Sequence, residues 1–428
     1  MLNLKRIFII MSERVKQKFQ FCFRASELQR LSLVILIMII CVTGCTKKND
    51  KTVIHQETVK FSSWGSKSEI DIIKPILSEF EKQNPDIKVD FMHIPQNYFQ
   101  KLHLLFASNL APDVIFINNF YLPIHANAGL LEELGTEVKS LSPFYGKSLQ
   151  ALSYNGKLYA IPRDVSNLVI YYNKDLFKKY GVPFPNKYWS FDDLLILAQK
   201  LTKDTNNDGK TDIWGISFEE DLLFYLPYLM SEGGGVLSDD LKHSIINTPQ
   251  SKKGLQFYAD LRNKYNVAPK KSESASATMA QLFLQGKLAM HLSGRWLVPK
   301  YREDANFDWD VINFPNGDAG SVVPMDASGW AITKNSKHKE AAAKLVKYLS
   351  SKESIEKFTQ SGLIVPARID VAEGDFSSCE KSPKNNKVFI DIIKTSKKTP
   401  VSTNYSEIQD ELKEKTNYLF NSSIKVEN

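Results

Sequence analysis

The sequence lacks the residue patterns that many enzymes and nucleotide-binding proteins carry at their reaction centres. It contains no G-x-S-x-G turn, no H-E-x-x-H helix and no phosphate-cradling glycine loop, and its seven histidines are scattered. The consecutive residues Gly233, Gly234 and Gly235 read as a flexible turn. No catalytic constellation of these kinds therefore emerges from the sequence.

An excess of one charge is also missing from most of the chain. The formal net charge is +7, but the first 30 residues hold +5 of it, from seven Lys or Arg against Glu13 and Glu27. This leaves +2 for everything that follows. A nearly neutral body predicts no nucleic-acid partner.

Residues 31–42, LSLVILIMIICV, form an uncharged apolar run that is too short for the roughly 20 residues of a spanning helix. Basic residues precede this run, Thr43-Gly44-Cys45 follows it, and Val42-Thr43-Gly44-Cys45 resembles a bacterial lipobox. We therefore predict a lipoprotein signal peptide over residues 1–45, with Cys45 as the acylated residue, and a flexible tether over residues 46–57. The protein is expected on the extracytoplasmic face of the cell membrane, anchored by lipid.

Cysteine is scarce as well. Of the four cysteines, only Cys45 and Cys379 remain once the leader is removed. With Cys45 acylated, Cys379 has no partner for a disulfide, and one cysteine cannot build a metal cluster. The folded body must then be held by packing alone.

The length of 428 residues exceeds the size at which one hydrophobic core stops growing, which predicts two domains. From residue 59 to residue 117 the apolar spacing alternates between strand and helix periods. A second unit contains a capping box at Ser190 and Asp193. This alternation predicts an α/β fold in which each domain is a mostly parallel sheet flanked by helices, with ligands beyond the carboxyl ends of the strands.

Within residues 155–177, the segment YAIPRDVSNLVIYYNKDLF resembles the first interdomain crossing of family 1 extracellular solute-binding proteins, the maltose-binding-protein-like receptors of ABC importers. Four more segments match in the right order, so that the resemblance spans residues 58–365. These segments are VKFSSWG, ASNLAPDVIFI, FLQGKLAMHLSGRW and DASGWAITKNSKHKEAAAKLVKYLSS.

The resemblance implies a two-lobed, periplasmic-binding-protein-like fold of type II with three interdomain crossings. The crossings map near residues 163–166, 324–327 and 363–366. The N-lobe would comprise residues 58–164 and 327–363, and the C-lobe residues 165–326 and 364–428. The implied function is a monomeric receptor that closes on a sugar or oligosaccharide and delivers it to an ABC permease, with no cofactor required.

Three tryptophans, Trp64, Trp296 and Trp330, stand at predicted strand ends or crossings, where a cleft between lobes would lie. An indole face stacks well on the apolar face of a pyranose ring. The alternative for each tryptophan is a place in the core. We expect at least one of the three to stack on the ligand.

Short polar side chains and one tyrosine at similar places could hydrogen-bond sugar hydroxyls. Turn and cap roles are the alternative, and for Asn173, at a helix start, the cap role is favoured. Asp164 and Asp326 are assigned to ligand binding or to the hinge, and because Tyr171 and Tyr172 alternate, only one of them can face the cleft. The predicted polar ligand residues are Asn118, Asp164, Tyr172 and Asp326.

Other ligands and functions stay open at this point. Arg163, Arg295 and Arg368 lie at similar borders and could hold an anionic ligand such as a glycerophosphodiester, and a polyamine is a further possibility. A secreted glycosidase, which needs two carboxyl groups in a cleft, is the alternative from another class.

Residues 204–215, DTNNDGKTDIWG, resemble an EF-hand-like or dockerin-like calcium loop. Oxygen-bearing side chains occupy loop positions 1, 3, 5 and 9, with glycine at position 6 and Lys210 at position 7. Gly215 replaces the usual bidentate glutamate at position 12. The alternatives are a structural calcium site remote from the cleft and a plain polar loop. The candidate ligands are Asp204, Asn206, Asp208, Lys210 and Asp212.

The lipobox interpretation predicts that Cys45→Ser abolishes membrane attachment in a bacterial host. Stable anchoring needs more than one acyl chain, at about 0.8 kcal/mol per buried CH₂, which a diacylglyceryl cysteine supplies. Membrane fractionation with detection of the protein measures the effect. A Cys45→Ser protein that stays in the membrane fraction would contradict the interpretation.

Overall fold

The computed structural model describes residues 56–135, 141–274, 276–374, 376 and 382–422. The predicted signal peptide with Cys45, most of the predicted tether, and Cys379 lie outside these residues. Within the described ranges, every helix is too short or too polar to cross a membrane.

The strands of the described residues follow in chain order. They are β1 Glu57–Ser63, β2 Ile87–His93, β3 Val114–Asn118, β4 Ser153–Tyr154, β5 Lys157–Leu158, β6 Ala160–Ser166, β7 Leu168–Asn173, β8 Trp214–Ile216, β9 Leu288–Gly294, β10 Trp309–Ile312, β11 Pro324–Ile332, β12 Val365–Pro366 and β13 Lys397–Lys398.

Helices separate most of these strands, and a 3₁₀ turn, Arg295–Leu297, follows β9. The α-helices are α1 Lys67–Gln83, α2 Tyr98–Ala107, α3 Leu122–Asn127, α4 Gly146–Ala151, α5 Lys174–Lys179, α6 Phe191–Leu201, α7 Leu222–Ser231, α8 Pro249–Asn263, α9 Met279–Leu284, α10 Val298–Asp304, α11 Lys339–Leu349, α12 Lys352–Gln360, α13 Ile369–Ala372, α14 Val388–Asp391 and α15 Tyr405–Phe420.

One sheet organises the first lobe, with strand order β12-β6-β11-β3-β1-β2 and β13 paired beside β11. Apolar strand residues such as Val59, Phe61 and Phe116 are fully buried beneath α1, α11 and α12. A second apolar cluster containing Ile115, Ile117 and Leu102 forms with α2 and α3. Burial of such side chains stabilises the fold by about 1.5–3 kcal/mol each.

A sheet of order β10-β7-β9-β8 organises the second lobe. All six residues of β7 and all seven of β9 are buried, which is typical of strands covered on both faces. The predicted capping box at the start of α6 is confirmed, because Ser190 Oγ accepts from Asp193 N–H while Asp193 accepts from Ser190 N–H.

The two-lobed α/β architecture agrees with the sequence, but the expectation of mostly parallel sheets is wrong in detail. Pairs β1-β2, β1-β3 and β8-β9 are parallel, whereas β11 runs antiparallel to both β3 and β6, and β7 runs antiparallel to β9 and β10. The nine-residue strand β11 contains residues 324–327, where the sequence places the second crossing. The expected lobe boundaries stay a prediction.

The three segments where the sequence places crossings are neighbours in one sheet. Strand β6 pairs with β12 on one side and with β11 on the other. Gly329 of β11 permits this close approach, since a Cβ at that position would lie 2.1 Å from the carbonyl oxygen of Ile161. The segments predicted to connect the lobes are therefore joined by hydrogen bonds through β6.

Candidate functional site

A cleft of about 970 Å³ lies between the two lobes. The end of β1 and the first turns of α1 form one wall, and the 3₁₀ turn and α10 form the other. This position, beyond the carboxyl ends of β1 and β9, is where open α/β sheets bind ligands. Residues on the walls include Trp64, Glu69, His93 and Gln96 from the first lobe and Trp296 and Glu303 from the second.

The cleft continues inward as a pocket of about 190 Å³. Arg163, Asp164 and Ser166 of β6 line this pocket together with Arg295 and Ser328. The cleft and the pocket share four lining residues, which mark the passage from one to the other. These residues are Trp64, Glu69, Trp296 and Leu363.

Trp64 reaches the place that the sequence predicts for it. It directly follows β1 and is half-buried, with one part of its indole in the cleft wall. The rest packs on Phe116, Tyr98 and Phe99, with ring centroids 4.3, 5.1 and 5.4 Å away. These aromatic contacts hold the ring in one orientation.

Trp296 faces Trp64's lobe from the other side of the cleft. It lies in the 3₁₀ turn after β9, and 38% of its surface is exposed, which is unusual for so large an apolar side chain. The exposed indole of Trp296 and the half-buried indole of Trp64 provide two surfaces for the apolar faces of a sugar. The structure thus brings together two of the three predicted tryptophans.

Trp330 does not line the cleft, and the prediction for this residue is corrected. It is fully buried in β11, with its ring centroid 4.6 Å from that of Phe116 and 5.4 Å from that of Phe61. Because strand residues alternate between faces, Trp330 points into the helix-covered core of the first lobe, where it also contacts Phe358.

A buried charged cluster forms the floor of the inner pocket. Arg163 Nη1 donates to Glu69 Oε1 at 2.7 Å, and Arg163 Nε donates to Asp164 Oδ2 at 2.5 Å. The guanidinium also lies 4.1 Å from the ring centroid of Phe116. Burial raises the pKa of Asp164, although Arg163 opposes this effect. Asp164 therefore reaches the site as predicted, with one carboxylate edge committed to Arg163.

Glu69 is a site residue that the sequence reasoning missed. It lies in the first turn of α1, and its carboxylate fits against Gly65, where a Cβ would come within 2.6 Å of Glu69 Oε2 and where φ is +143°. The available signal was an acidic residue one helical turn after a glycine at a strand end. That signal alone is common, and only the fold pairs Glu69 with Arg163.

Asn118 and Tyr172 are not among the residues that line the cleft or the inner pocket. Asn118 Oδ1 accepts from the N–H of Tyr121 at 3.2 Å and so closes the turn after β3. Tyr172 is buried in the second lobe and packs on Phe177 and Phe184, with ring centroids 5.7 Å away in each case. The ligand role predicted for both residues is corrected to a structural one.

Asp326 is buried at the predicted second crossing and does not line the cleft. Its Oδ1 accepts from Asn119 Nδ2 at 2.9 Å, while Asn119 Oδ1 accepts from Ala327 N–H at 3.1 Å. Burial raises the pKa of Asp326 to about 6. Of the two roles predicted for Asp326, the structure favours a place in the hinge over ligand binding.

The three arginines considered for an anionic ligand all have partners within the protein. Arg163 is held by two carboxylates, and Arg368 donates to both carboxylate oxygens of Asp370. Arg295 Nη1 donates to Asn386 Oδ1 at 2.8 Å, and its guanidinium lies 4.2 Å from the ring centroid of Phe376. Asn173 caps α5, as the sequence predicts. This arrangement does not favour an anionic ligand.

The loop at residues 204–215 is exposed and folds around its first aspartate. Asp204 accepts from the backbone N–H of Asn207 at 2.7 Å and of Gly209 at 2.8 Å, and both of these residues have positive φ. Asp212 accepts from Thr205. In the part of the chain that the structure describes, no three His, Cys, Asp or Glu side chains converge as metal ligands. The remaining candidates, Asn206, Asp208 and Lys210, form turns within the same loop.

Two α/β lobes with a sheet each, joined through adjacent strands and separated by an aromatic-walled cleft, define a solute-binding receptor. The chain belongs to the bacterial extracellular solute-binding protein family, whose model matches residues 66–356. Proteins of this family bind solutes and are not enzymes.

Individual relatives agree with this assignment. A galactooligosaccharide-binding protein of Bacillus subtilis is 24% identical over 318 residues, which cover 71% of this chain and 72% of that protein. A maltodextrin-binding protein of the same organism is 26% identical over 325 residues, or 69% and 70% of the two chains. The structure of an ABC substrate-binding protein from Listeria monocytogenes in complex with cycloalternan matches with a TM-score of 0.78 and 27% identity, covering 86% of this chain and 94% of that one.

The buried Trp330 and the partly exposed Trp296 should differ in how much stability the protein loses when each is replaced by alanine. Trp330→Ala should lower the free energy of unfolding by about 3–5 kcal/mol, because it empties a fully packed site. Trp296→Ala should cost no more than about 1 kcal/mol, since much of its ring already contacts solvent. Urea denaturation of the ligand-free proteins measures both values. Equal losses in the two variants would contradict these placements.

Asp326 predicts a specific pH dependence of stability. Its folded-state pKa of about 6 lies above its usual 3.8, so the folded state binds more protons between these values and loses stability as pH rises through them. The difference corresponds to roughly 3 kcal/mol at 1.36 kcal/mol per pH unit. Asp326→Asn should therefore stabilise the protein at pH 7 by about that amount and have little effect at pH 4.

Denaturant titrations of the wild type and of Asp326→Asn across this pH range test the prediction. The exposed Asp90→Asn substitution serves as the control, because Asp90 is also on a strand of the first sheet. A stability difference that does not change between pH 4 and pH 7 would show that Asp326 is not held in a proton-retaining environment.

Proposed function

We propose that this protein is the receptor of an ABC importer and captures a sugar or oligosaccharide in the cleft. The observation that carries the proposal is the pair Trp64 and Trp296, which belong to different lobes and line the same cleft. Stacking surfaces on opposite walls can hold a pyranose only when the walls approach. Glu69 and Asp164 line the inner pocket together with the two tryptophans, and their carboxylates can accept from hydroxyl groups.

Ligand capture follows from this division of the site. A ligand that contacts both lobes has its full set of contacts only in the closed state, so its differential affinity shifts the population toward closure. The strands β6, β11 and β12, which connect the lobes, are the elements that bend. A permease that recognises the closed arrangement then receives only loaded receptors.

Similarity to relatives with oligosaccharide ligands supports an oligosaccharide as the ligand here. The relatives named above are described as binding galactooligosaccharide, maltodextrin and cycloalternan, and each of these contains several sugar rings. A cleft of about 970 Å³ has room for more than one ring. Glycerophosphodiester or polyamine binding is the alternative, and the engaged arginines argue against the former.

We also propose that the protein binds its ligand without turnover. Glu69 and Asp164, the two buried carboxylates of the inner pocket, both pair with the guanidinium of Arg163, whereas a glycosidase needs two carboxyl groups that flank the scissile bond. The lipid anchor at Cys45, the extracytoplasmic location, the monomeric state and the permease partner belong to the same proposal. The lipobox sequence supports the anchor and the location, and the family supports the permease partner.

A structural calcium ion at Asp204 and its neighbours is a separate, smaller proposal, supported by the loop spacing and by the positive φ of Asn207 and Gly209. One millimolar CaCl₂ should raise the melting temperature of the wild type and not that of Asp204→Asn, compared at equal ionic strength with MgCl₂. If both proteins respond alike, or neither does, the loop is a plain connection.

Sugar binding is tested by calorimetry and thermal shift with maltodextrins, galactooligosaccharides and cycloalternan, beside spermidine and glycerophosphocholine. A ligand at 100 times its Kd stabilises the protein by about 2.7 kcal/mol, which is visible as a higher melting temperature. Trp296→Ala should weaken the best sugar by about 1–3 kcal/mol, roughly 5- to 150-fold.

Chromatography of each oligosaccharide after incubation with the protein checks that no hydrolysis occurs. Binding of spermidine or glycerophosphocholine with no response to any saccharide would replace the sugar proposal. Release of shorter saccharides would overturn the assignment to binding without turnover.

A further inference from the structure

The indole of Trp296 occupies the space where Gly294 would carry a side chain. A Cβ at Gly294 would lie 1.8 Å from Cζ3 of Trp296 and 2.3 Å from both Cε3 and Cη2. Gly294 is the last residue of β9, and Trp296 lies two residues later in the 3₁₀ turn. The six-membered ring of Trp296 therefore folds back onto the end of its own strand.

The backbone of Gly294 does not itself require glycine. Its φ of −98° and ψ of 176° are extended values that any residue adopts. What glycine provides here is space for the ring and not conformational freedom. We propose that Gly294 is a positioning residue for ligand binding, because its missing side chain lets the strand end serve as a support for the Trp296 indole.

The size of the conflict shows why the support matters. Non-bonded carbon atoms rest about 3.5–4.0 Å apart, so a methyl group at residue 294 would have to push the ring away by about 2 Å. Binding constellations tolerate errors of only about 0.5 Å. An alanine at this position should therefore move Trp296 out of the orientation in which it meets the ligand.

The ring has room to move, so the fold should survive the substitution. Trp296 is 38% exposed and borders the open cleft. The conflict at Gly329 is of a different kind, because there a Cβ would lie 2.1 Å from the carbonyl oxygen of Ile161, which belongs to a paired strand and cannot swing away. Gly294→Ala is thus expected to displace a side chain, whereas Gly329→Ala is expected to damage the sheet.

The support also restricts how a ligand can stack. With one side of the indole lying against the end of β9, the sugar meets the ring only from the side that faces the cleft. Trp64 is backed in the same way by Phe116 on the opposite wall. The cleft therefore has two supported rings, one resting on an aromatic side chain and the other on bare backbone.

The first experiment needs no ligand and so does not depend on the proposed function. The protein is labelled with 5-fluorotryptophan, and its six tryptophan ¹⁹F resonances are assigned with single Trp→Phe variants. Gly294→Ala should shift the Trp296 resonance and leave those of the buried Trp189 and Trp330 in place. Gly146→Ala is the matched control, since a Cβ there meets nothing within 4 Å.

The second experiment measures affinity for the best saccharide of the calorimetric screen in a double-mutant cycle. Gly294→Ala should lower affinity about as much as Trp296→Ala does, and adding Gly294→Ala to Trp296→Ala should change it less than twofold. This arm rests on the proposed function. Melting temperatures of all variants confirm that each compared protein is folded.

Each outcome bears on the proposal separately from the sugar assignment. An unmoved Trp296 resonance in Gly294→Ala would overturn the positioning role, whatever the ligand is. A shifted resonance with no saccharide binding in the wild type would support the positioning role and overturn the sugar assignment. An equal loss of affinity from Gly294→Ala in both backgrounds would show that residue 294 acts independently of Trp296 and would also overturn the proposal.

Discussion

The arrangement of the site depends on the contacts of one buried group, the guanidinium of Arg163. It joins α1 to β6 through Glu69, holds the neighbouring Asp164, and packs on Phe116 from a third element. Taking these charges out of water is costly, and each remains buried only because its partners are present. Removing one partner from such a group typically costs 3–5 kcal/mol, so the three residues act as one unit.

This unit lies at the boundary between the rigid body of the first lobe and the strands that lead to the second. Trp64 is supported by Phe116, the same ring that contacts Arg163 and Trp330. The wall of the cleft, its charged floor and the core beneath it therefore share one aromatic residue. A disturbance at any of these places is expected to reach the others through Phe116, because packed interiors transmit small shifts.

The sequence predicted the parts of the fold that depend on local pattern. The strand before Trp64, the capping box at Ser190 and the helix cap at Asn173 are each decided by a few neighbouring residues. Trp64 and Trp296 could be placed because each lies within two residues of a strand end. Trp330 could not, because nothing in the sequence shows that β11 is nine residues long and that position 330 points inward.

Contacts between distant segments could not be predicted either, because local sequence pattern does not report on them. The pairing of Glu69 with Arg163 joins residues 94 positions apart, and that of Asn119 with Asp326 joins residues 207 apart. The direction of β11 also depends on how the chain returns from the second lobe. These features are set by topology, whereas periodicity and capping report only on the segment that contains them.

The adjacency of β6, β11 and β12 limits the mechanics of the receptor. Hydrogen bonds between these strands join three separate connections into a single ribbon. A ribbon of this kind resists sliding of one strand along the next, because sliding breaks the whole ladder, but it can twist and bend with its pairs intact. The lobes would then approach along one arc, and ligands of different length would differ in how far along that arc closure stops. The receptor would then discriminate between a short and a long saccharide by the angle at which the lobes stop closing, as well as by the contacts that each ligand makes.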